Sequence, residues 1–340
     1  MADPKLTTAL ATMPKTELHV HIEGTLEPEL ALEFAARNHV ELPWHDLEEL
    51  REQYRFTDLQ SFLDLYYTLM GTLRTMDDFR DLMLAYLERA ARNGVKHAEI
   101  FFDPQVHLDN GLDYDLVLDG LLTGLKLDEE RCGITGALIL CIVRDKPVES
   151  AERILDIATP RAGEILGIGL DSAEVGYPPS LFTHVFARAT ELGWHRVAHA
   201  GEEGPASYIT QALDDLHAER IDHASHAIDD PAVMARLAAE RVPVTRCPLS
   251  NLRLHVIEQP NELHIHDFLD AGVITTINSD DPAYFGGYLV DNYLALLGDN
   301  CSLYDMARLG EMSIDASFLD DERKELLKDD FEAWKLEYLG

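Results

Sequence analysis

Short apolar segments alternate with longer amphipathic segments along almost the whole chain. The predicted strands are residues 17–22, 96–102, 136–143, 165–170, 196–199, 220–223, 242–247 and 273–279. A helical period separates them, for example over residues 77–93, 180–192 and 231–241. Gly94, Gly193 and Gly272 each stand just before a strand, where glycine commonly ends a helix. Eight strands alternating with helices predict an α/β fold, a parallel (β/α)8 TIM-type barrel.

Two additions are expected to enlarge this barrel, because 340 residues exceed the roughly 250 that the fold needs. One is a helical lid insertion at about 30–90, after strand 1, and the other is a C-terminal helix pair at about 303–340. In the insertion, Phe56, Leu59, Phe62 and Tyr66 form an apolar stripe. The stripe either closes a lid over the barrel or is an ordinary core-facing helix face. With no linker-like tract, residues 1–340 are predicted to form one domain.

The charge balance restricts the classes of partner. The chain carries 62 acidic and 28 basic residues, a formal charge of −34. Such a surface repels phosphate backbones and anionic lipids, so neither a nucleic-acid polymer nor a membrane is expected as a partner. A small neutral ligand remains compatible with it, as does a homo-oligomer.

The cysteines and the apolar stretches indicate a cytoplasmic protein. The four cysteines are scattered and form no CxxC pair, which is typical of reduced thiols. The N-terminus lacks a signal-peptide core, and the longest apolar stretch, 134–143, is too short to span a bilayer. That stretch is predicted to be a buried strand.

Imidazoles and carboxylates collect where the predicted strands end. His19 and His21 are two residues apart on a strand, so their side chains leave on the same face. His199 ends strand 5, and Asp280 follows strand 8. In a barrel of this type the carboxyl ends of the strands carry the active site. Three imidazoles and one carboxylate suit one Zn²⁺ per subunit with a position left for water, although Fe²⁺ or Co²⁺ also fits.

Each of these motifs alone is weak evidence. His264 and His266 form another HxH pair, which we interpret as structural because it follows Pro260 and leads into a helix. Asp281–Pro282 also has an ordinary interpretation as a helix start. The joint occurrence of the motifs at the ends of strands 1, 5 and 8 is what favours a metal site.

Hydrolysis at such a site needs proton-transfer groups. His223 ends strand 6 and could orient a water molecule and take its proton. Glu202 lies three residues beyond His199, and an apolar setting would raise its pKa, as an acid requires. Asp281 neighbours Asp280 and should point elsewhere, free to bond a substrate nitrogen. The alternative interpretation of His223 is an ordinary loop histidine, and that of Glu202 is an ordinary glutamate in the first turn of a helix.

Taken in order, these segments resemble the motifs of the adenosine/adenine deaminase family of the amidohydrolase superfamily. The resemblance covers nearly the whole chain and rests on residues 19–26 (HVHIEGTL), 199–204 (HAGEEG), 221–223 (IDH), 247–251 (CPLSN) and 279–282 (SDDP). It implies that His19, His21, His199 and Asp280 bind zinc and that Asp280 also belongs to the catalytic group. Glu202 would protonate purine N1, His223 would activate water, and Asp281 would hold N7.

Within the family, the chain is more similar to the adenine-specific members. Glu23 stands where adenosine deaminases usually carry an aspartate that reaches the ribose, and its longer side chain would fill that space. Residues 169–176 (GLDSAEVG) and 281–288 (DPAYFGGY) are also of the adenine type, and Asp171, Ser172 and Glu174 are predicted substrate contacts. The implied reaction is zinc-dependent hydrolysis of adenine, a purine base, to hypoxanthine and ammonia. Adenosine or an N6-substituted adenine is the alternative substrate.

One departure from the adenine-type pattern bears on the substrate. Ala224 follows His223 where glycine is usual, and its methyl group is expected to narrow the pocket or shift its preference. A two-metal amidohydrolase is disfavoured because strand 4 ends without a lysine. A cytidine-deaminase site is excluded because no PCxxC motif is present. A purine- or metal-binding protein without activity would be expected to lack Glu202 or His223.

Overall fold

Eight parallel strands follow one another around a barrel, as predicted. The computed structural model describes residues 3–56 and 59–340, without the side chains of Leu59 and Cys132. Neighbours along the chain are neighbours in the sheet, from β1 to β8. The strands are β1 Lys15–His21, β2 Val95–Phe102, β3 Thr135–Val143, β4 Gly167–Asp171, β5 His195–Ala200, β6 Arg220–His223, β7 Val244–Arg246 and β8 Thr275–Ile277.

The barrel closes where β8 meets β1. The backbone N–H of His21 donates to the Asp280 carbonyl at 3.0 Å, and the N–H of Asp280 donates to the His19 carbonyl at 3.0 Å. Further down, the Leu18 N–H donates to Asn278 Oδ1 at 2.8 Å. The backbone of three predicted metal ligands, His19, His21 and Asp280, therefore forms part of this seam.

Helices cover the outside of the barrel and fill both predicted additions. They are α1 Pro4–Thr12, α2 Pro28–Asn38, α3 Leu47–Glu52, α4 Leu59–Met70, α5 Met76–Arg92, α6 Pro104–Asp109, α7 Tyr114–Cys132, α8 Val148–Ala158, α9 Thr183–Glu191, α10 Ala206–Asp215, α11 Pro231–Ala239, α12 Pro248–Arg253, α13 Ile265–Ala271, α14 Pro282–Phe285, α15 Leu289–Ala295, α16 Leu303–Ala316 and α17 Asp321–Tyr338. Helices α2–α5 form the insertion between β1 and β2, and α16–α17 are the C-terminal pair.

Local sequence accounts for several helix ends. Thr75 caps α5 through a reciprocal box with Asp78, which satisfies two backbone donors at the helix start. Gly94, Gly193 and Gly272 all have φ near +80°, as expected of glycines that end helices before a strand. The single-domain organisation of residues 1–340 stays a prediction.

A buried ion pair holds the lower part of the barrel. Arg220 Nη1 lies 2.6 Å from Glu99 Oε2, and both side chains are fully buried. Burial works to raise the pKa of Glu99, but the charges of Arg220 and His97 lower it to about 2. Glu99 also accepts the backbone N–H of Phe318, so the pair ties β2 and β6 to the segment between α16 and α17.

Two predictions from composition can be compared with the structure. The thiols of Cys141, Cys247 and Cys301 are buried and free, in agreement with reduced cysteines. Within the two described ranges, every helix is too short or too polar to cross a membrane.

Candidate active site

Four side chains converge at the carboxyl end of the barrel in a geometry that fits a metal ion. His19 Nε2 lies 3.2 Å from Asp280 Oδ1, and His21 Nε2 lies 3.3 Å from His199 Nε2. His21 Nε2 is 3.6 Å from Asp280 Oδ1. A tetrahedron with bonds of about 2.0–2.1 Å has edges of about 3.4 Å, so these separations match a single ion at the centre.

The other ring nitrogens of the histidines face buried carboxylates. His19 Nδ1 lies 2.8 Å from Thr245 Oγ1, which donates to Asp222. His199 Nδ1 lies 3.6 Å from Asp222, and His21 Nδ1 lies 3.6 Å from Asp171. A carboxylate behind the imidazole fixes its orientation and makes the opposite nitrogen a better ligand. The three Nε2 atoms are thereby directed to one point.

The ionisation of the cluster also suits a divalent ion. Burial lowers the pKa of His21 to about 4 and that of His199 well below its usual value, which favours neutral rings. Burial also works to lower the pKa of His19, but the Asp280 and Asp222 carboxylates outweigh it and raise that pKa. His19 Nε2 is buried and has no hydrogen-bond partner among the described residues. Neutral imidazoles beside an aspartate are what such an ion requires. The four residues can therefore hold a divalent metal.

A second group of potential ligands lies next to the first. It contains His21, Asp103, Cys141 and Asp171. Burial raises the pKa of the Cys141 thiol well above its usual value, so the sulfur stays protonated and is a poor ligand. His21 belongs to both groups, and the geometry favours one ion held by the first group.

Glu202 stands on a loop that Glu174 holds from below. Both carboxylate oxygens of Glu174 accept backbone N–H groups: from Gly201 at 2.6 Å, Glu202 at 2.9 Å, Glu203 at 3.0 Å and Gly204 at 2.9 Å. Burial, reinforced by the Asp280 carboxylate, raises the pKa of Glu202 well above its usual value. A raised pKa favours the protonated form of this carboxyl group.

His223 lies between Glu202 and the metal ligands. Its Nε2 is 3.4 Å from Glu202 Oε2 and 3.7 Å from Asp280 Oδ2. The Asn251 amide lies 3.4 Å from His223 Nδ1 and 3.5 Å from Glu202 Oε1. His223 and Asp280 both have φ of +64°, a strained conformation of the kind found at functional sites.

Asp281 lines the same pocket as Glu202 and His223. Its Oδ1 is buried and accepts no hydrogen bond from the described part of the chain. Burial and the adjacent Asp280 raise the pKa of Asp281 well above its usual value. The residue packs on Gly24, where a Cβ atom would lie 2.0 Å from Asp281 Oδ1. Only glycine leaves room for this orientation.

The pocket has a polar floor and an apolar roof. Helix α4 supplies Phe62, Leu63, Tyr66 and Tyr67 to the roof. Phe62 and Tyr66 of the predicted apolar stripe thus line the pocket, and Phe56 packs against Phe62 with ring centroids 5.5 Å apart. The function of this stripe as a lid stays a prediction. The side chain of Leu59 lies outside the described residues. A pocket with an aromatic roof and a few polar groups on its floor suits a small, flat ligand.

Asp103, which the sequence analysis missed, also lines the pocket. It is 3% exposed, and its Oδ1 has no partner among the described residues. Its carboxyl group is hydrogen-bonded to that of Asp171, and burial together with the Asp171 charge raises the pKa of Asp103 well above its usual value. Beside them, Ser172 Oγ lies 3.0 Å from the Tyr67 hydroxyl. Asp171 and Ser172 are thus in the pocket, as predicted.

Two predicted substrate contacts are corrected by the structure. Glu23 is fully buried below the pocket, where its Oε1 lies 2.8 Å from His107 Nε2 and accepts the Asp103 N–H at 3.1 Å. Glu23 therefore lies outside the described pocket lining. Glu174 is likewise outside the pocket lining, because its carboxylate is occupied by the Glu202 loop.

Ala224 does not narrow the described pocket, and a shift in substrate preference at this position stays a prediction. Its side chain is fully buried and is absent from the described pocket lining, so its methyl group does not narrow the pocket. The residue instead has φ of +54°, where glycine would be less strained. His264, from the HxH pair interpreted as structural, bonds Asp267 at 2.9 Å on the surface.

Relatives with similar sequences extend over nearly the whole chain. The family model described as adenosine deaminase matches residues 14–334. The adenine deaminase of Streptomyces coelicolor is 53% identical over 322 residues, which cover 93% of each chain. That of Acinetobacter baylyi is 47% identical over 317 residues, covering 93% of this chain and 96% of the relative.

Solved structures give the same relationship. The crystal structure of an adenine deaminase from Arthrobacter aurescens superposes with a TM-score of 0.93 at 50% identity, covering 95% of this chain and 99% of that one. An amidohydrolase from Burkholderia ambifaria, solved with bound Zn, has a TM-score of 0.89 at 27% identity, covering 99% and 94%. With its barrel, its strand-end motifs and these matches, the chain belongs to the adenosine deaminase family.

Proposed function

We propose that this protein hydrolyses adenine to hypoxanthine and ammonia, with zinc as the bound ion. The observation that carries the proposal is a pocket lined by Glu202, by Asp281 and by three members of the histidine–aspartate cluster, His21, His199 and Asp280. The adenine deaminases that share about half of its sequence support the substrate. The bound Zn in the Burkholderia relative supports the metal.

His19, His21, His199 and Asp280 would hold the zinc ion. When bound, zinc supplies a Lewis acid that lowers the pKa of a coordinated water from 15.7 to about 7. His223 is positioned to take a proton at Nε2, since that atom is 3.7 Å from Asp280 Oδ2. Burial keeps His223 neutral and its pKa well below the usual value, so Nε2 is free to accept.

Glu202 and Asp281 would orient the purine. The protonated Glu202 carboxyl donates to N1, which draws electrons from C6 and favours addition of water there. Asp281 bonds N7 on the other side of C6. Water adds at C6, the C6–N bond breaks, and the amine leaves as ammonia with a proton from the site. The roof residues of α4 exclude bulk water.

An ultraviolet assay tests the reaction. Purified, zinc-loaded protein should release ammonia from adenine, with adenosine, N6-methyladenine and cytosine as parallel substrates. Fast adenosine turnover with inert adenine would overturn the substrate, and activity on N6-methyladenine alone would indicate the N6-substituted alternative. The Glu202→Gln protein should keep its metal and lose activity by several orders of magnitude; an active variant would remove the acid role. The cytoplasmic location and the homo-oligomer stay predictions.

A further inference from the structure

The pocket contains a buried acceptor that the proposed reaction leaves unused. Asp103 is 3% exposed, it lines the pocket, and its Oδ1 is unpaired within the described part of the chain. A buried carboxyl oxygen without a partner is costly, because it has lost water and gained nothing in return. Such an atom at the wall of a ligand pocket indicates that the ligand supplies the missing donor.

The order of the strands indicates which ligand atom reaches it. Around the barrel mouth, Asp281 follows β8, Asp103 follows β2, Asp171 ends β4, and Glu202 follows β5. Around the edge of a purine, the nitrogens run N7, N9, N3, N1. With N7 at Asp281 and N1 at Glu202, as in the proposed function on which this inference rests, N9 falls toward β2 and N3 toward β4. The two circular orders coincide.

We propose that Asp103 accepts a hydrogen bond from N9–H of the purine and so selects the free base over any N9-substituted purine. Adenine carries a proton on N9, whereas a nucleoside has carbon there and has no proton to give. An N9-substituted ligand would leave Asp103 Oδ1 without a donor, and the substituent on N9 would clash with this oxygen. Binding sites built around such a polar contact strongly reject analogues that cannot make the contact.

The surroundings of Asp103 hold its carboxyl group in place. Glu23 Oε1 accepts the Asp103 backbone N–H at 3.1 Å. The side chain of Asp103 is hydrogen-bonded to Asp171, which itself faces His21 at 3.6 Å. Glu23 therefore contributes to base specificity by positioning Asp103, and it does so without touching the ligand.

The experiment compares adenine with 9-methyladenine, which differs only at N9. In the wild type, kcat/KM for adenine should exceed that for 9-methyladenine by at least about a thousandfold. Asp103→Ala removes the acceptor and opens space for the methyl group, so this ratio should fall by at least about tenfold. The same fall in the ratio is expected for Asp103→Ser, which replaces Asp103→Ala in the experiment if the alanine protein does not fold.

Two matched variants separate recognition from stability. Gln105 lies two residues further on and is buried to the same 3%, but it is not among the described pocket residues. Gln105→Ala should leave the ratio unchanged even if the protein is destabilised. Asp103→Asn keeps a carbonyl oxygen at the same place and should lose less of the preference than Asp103→Ala.

The outcomes are distinct. A ratio in Asp103→Ala and Asp103→Ser equal to the wild-type ratio would overturn the inference, as would an Asp103→Asn protein that loses as much as Asp103→Ala. In either case wild-type turnover of adenine would leave the proposed function intact. A wild-type protein that releases no ammonia from adenine would contradict both the proposed function and the inference about Asp103.

Discussion

The Glu174 carboxylate accepts the backbone N–H of Glu202 at 2.9 Å. Three further N–H groups of the same loop, from Gly201, Glu203 and Gly204, complete its bonding. One side chain from the loop after β4 thus fixes the position of the proposed acid after β5. A side chain that never meets the substrate can therefore control the chemistry through the backbone of one that does.

Replacing Glu174 by glutamine should lower kcat for adenine by about 10- to 100-fold, because the amide NH₂ repels N–H groups and displaces Glu202. KM and metal content should change little, since the ligands of the ion are untouched. Steady-state kinetics with metal analysis measures this. Glu191→Gln, an exposed position on α9, is the control. Wild-type kcat in Glu174→Gln would contradict the positioning role.

Gly24→Ala should displace Asp281, because the new Cβ would lie 2.0 Å from Asp281 Oδ1 and 2.7 Å from its Cα. We expect kcat/KM for adenine to fall by about a hundredfold or more, since small displacements of positioning groups have effects of this size. At Gly163 an added Cβ meets no atom within 4 Å of it, so Gly163→Ala should retain full activity. Equal activity of the two variants would refute the tight packing at Gly24.

Removal of the metal should abolish activity and lower the thermal unfolding midpoint, because a bound ion stabilises the folded state. A chelator followed by added zinc, with activity and unfolding recorded at each stage, tests this. His19→Gln should bind less than about one-tenth of the metal of the wild type. His266→Gln, from the exposed HxH pair, should bind one ion per chain. Full activity of metal-free protein would overturn the metal role.

The Glu99–Arg220 pair predicts a specific loss of stability in acid. The pKa of Glu99 is about 2 in the folded protein and 4.5 is its ordinary value. A lowered folded-state pKa stabilises the protein above pH 4.5, and this contribution is lost as the pH falls from 4.5 to 2. The contribution is on the order of 3 kcal/mol.

Glu99→Gln should therefore unfold at lower temperature at pH 7, and its unfolding midpoint should depend less on pH between 4.5 and 2. Calorimetric scans across this range measure the effect. Glu149→Gln, at an exposed position, should follow the wild-type curve. Parallel curves for Glu99→Gln and the wild type would show that the pair does not titrate in this window.

The strand ends could be predicted from sequence because strand periodicity is local. His19 and His21 alternate with apolar neighbours that are buried, so their shared direction follows from β geometry alone. The chain order of the strands then brings His199 and Asp280 to the same rim. The histidine–aspartate cluster could be predicted from sequence for this reason, whereas Asp171 was predicted only from the family resemblance of residues 169–176.

The roles of Glu23 and Glu174 could not be predicted from the sequence, because their hydrogen-bond partners are distant along the chain. Glu23 turns downward in a short 3-10 segment, Glu23–Thr25, and meets His107, 84 positions away. Glu174 accepts hydrogen bonds from backbone N–H groups 27 to 30 positions away. Because almost every residue type has a backbone N–H, the amino-acid sequence does not reveal such a contact. Asp103 did carry a signal, since it follows β2 as the other site residues follow their strands.

The seam between β8 and β1 joins residues that are synthesised far apart in time. Leu18 and Asn278, which bond across it, are 260 positions apart. A growing polypeptide therefore contains His19 and His21 about 260 residues before it contains Asp280. A chain truncated before β8 would keep the three histidines but lack the carboxylate that completes the four-residue cluster.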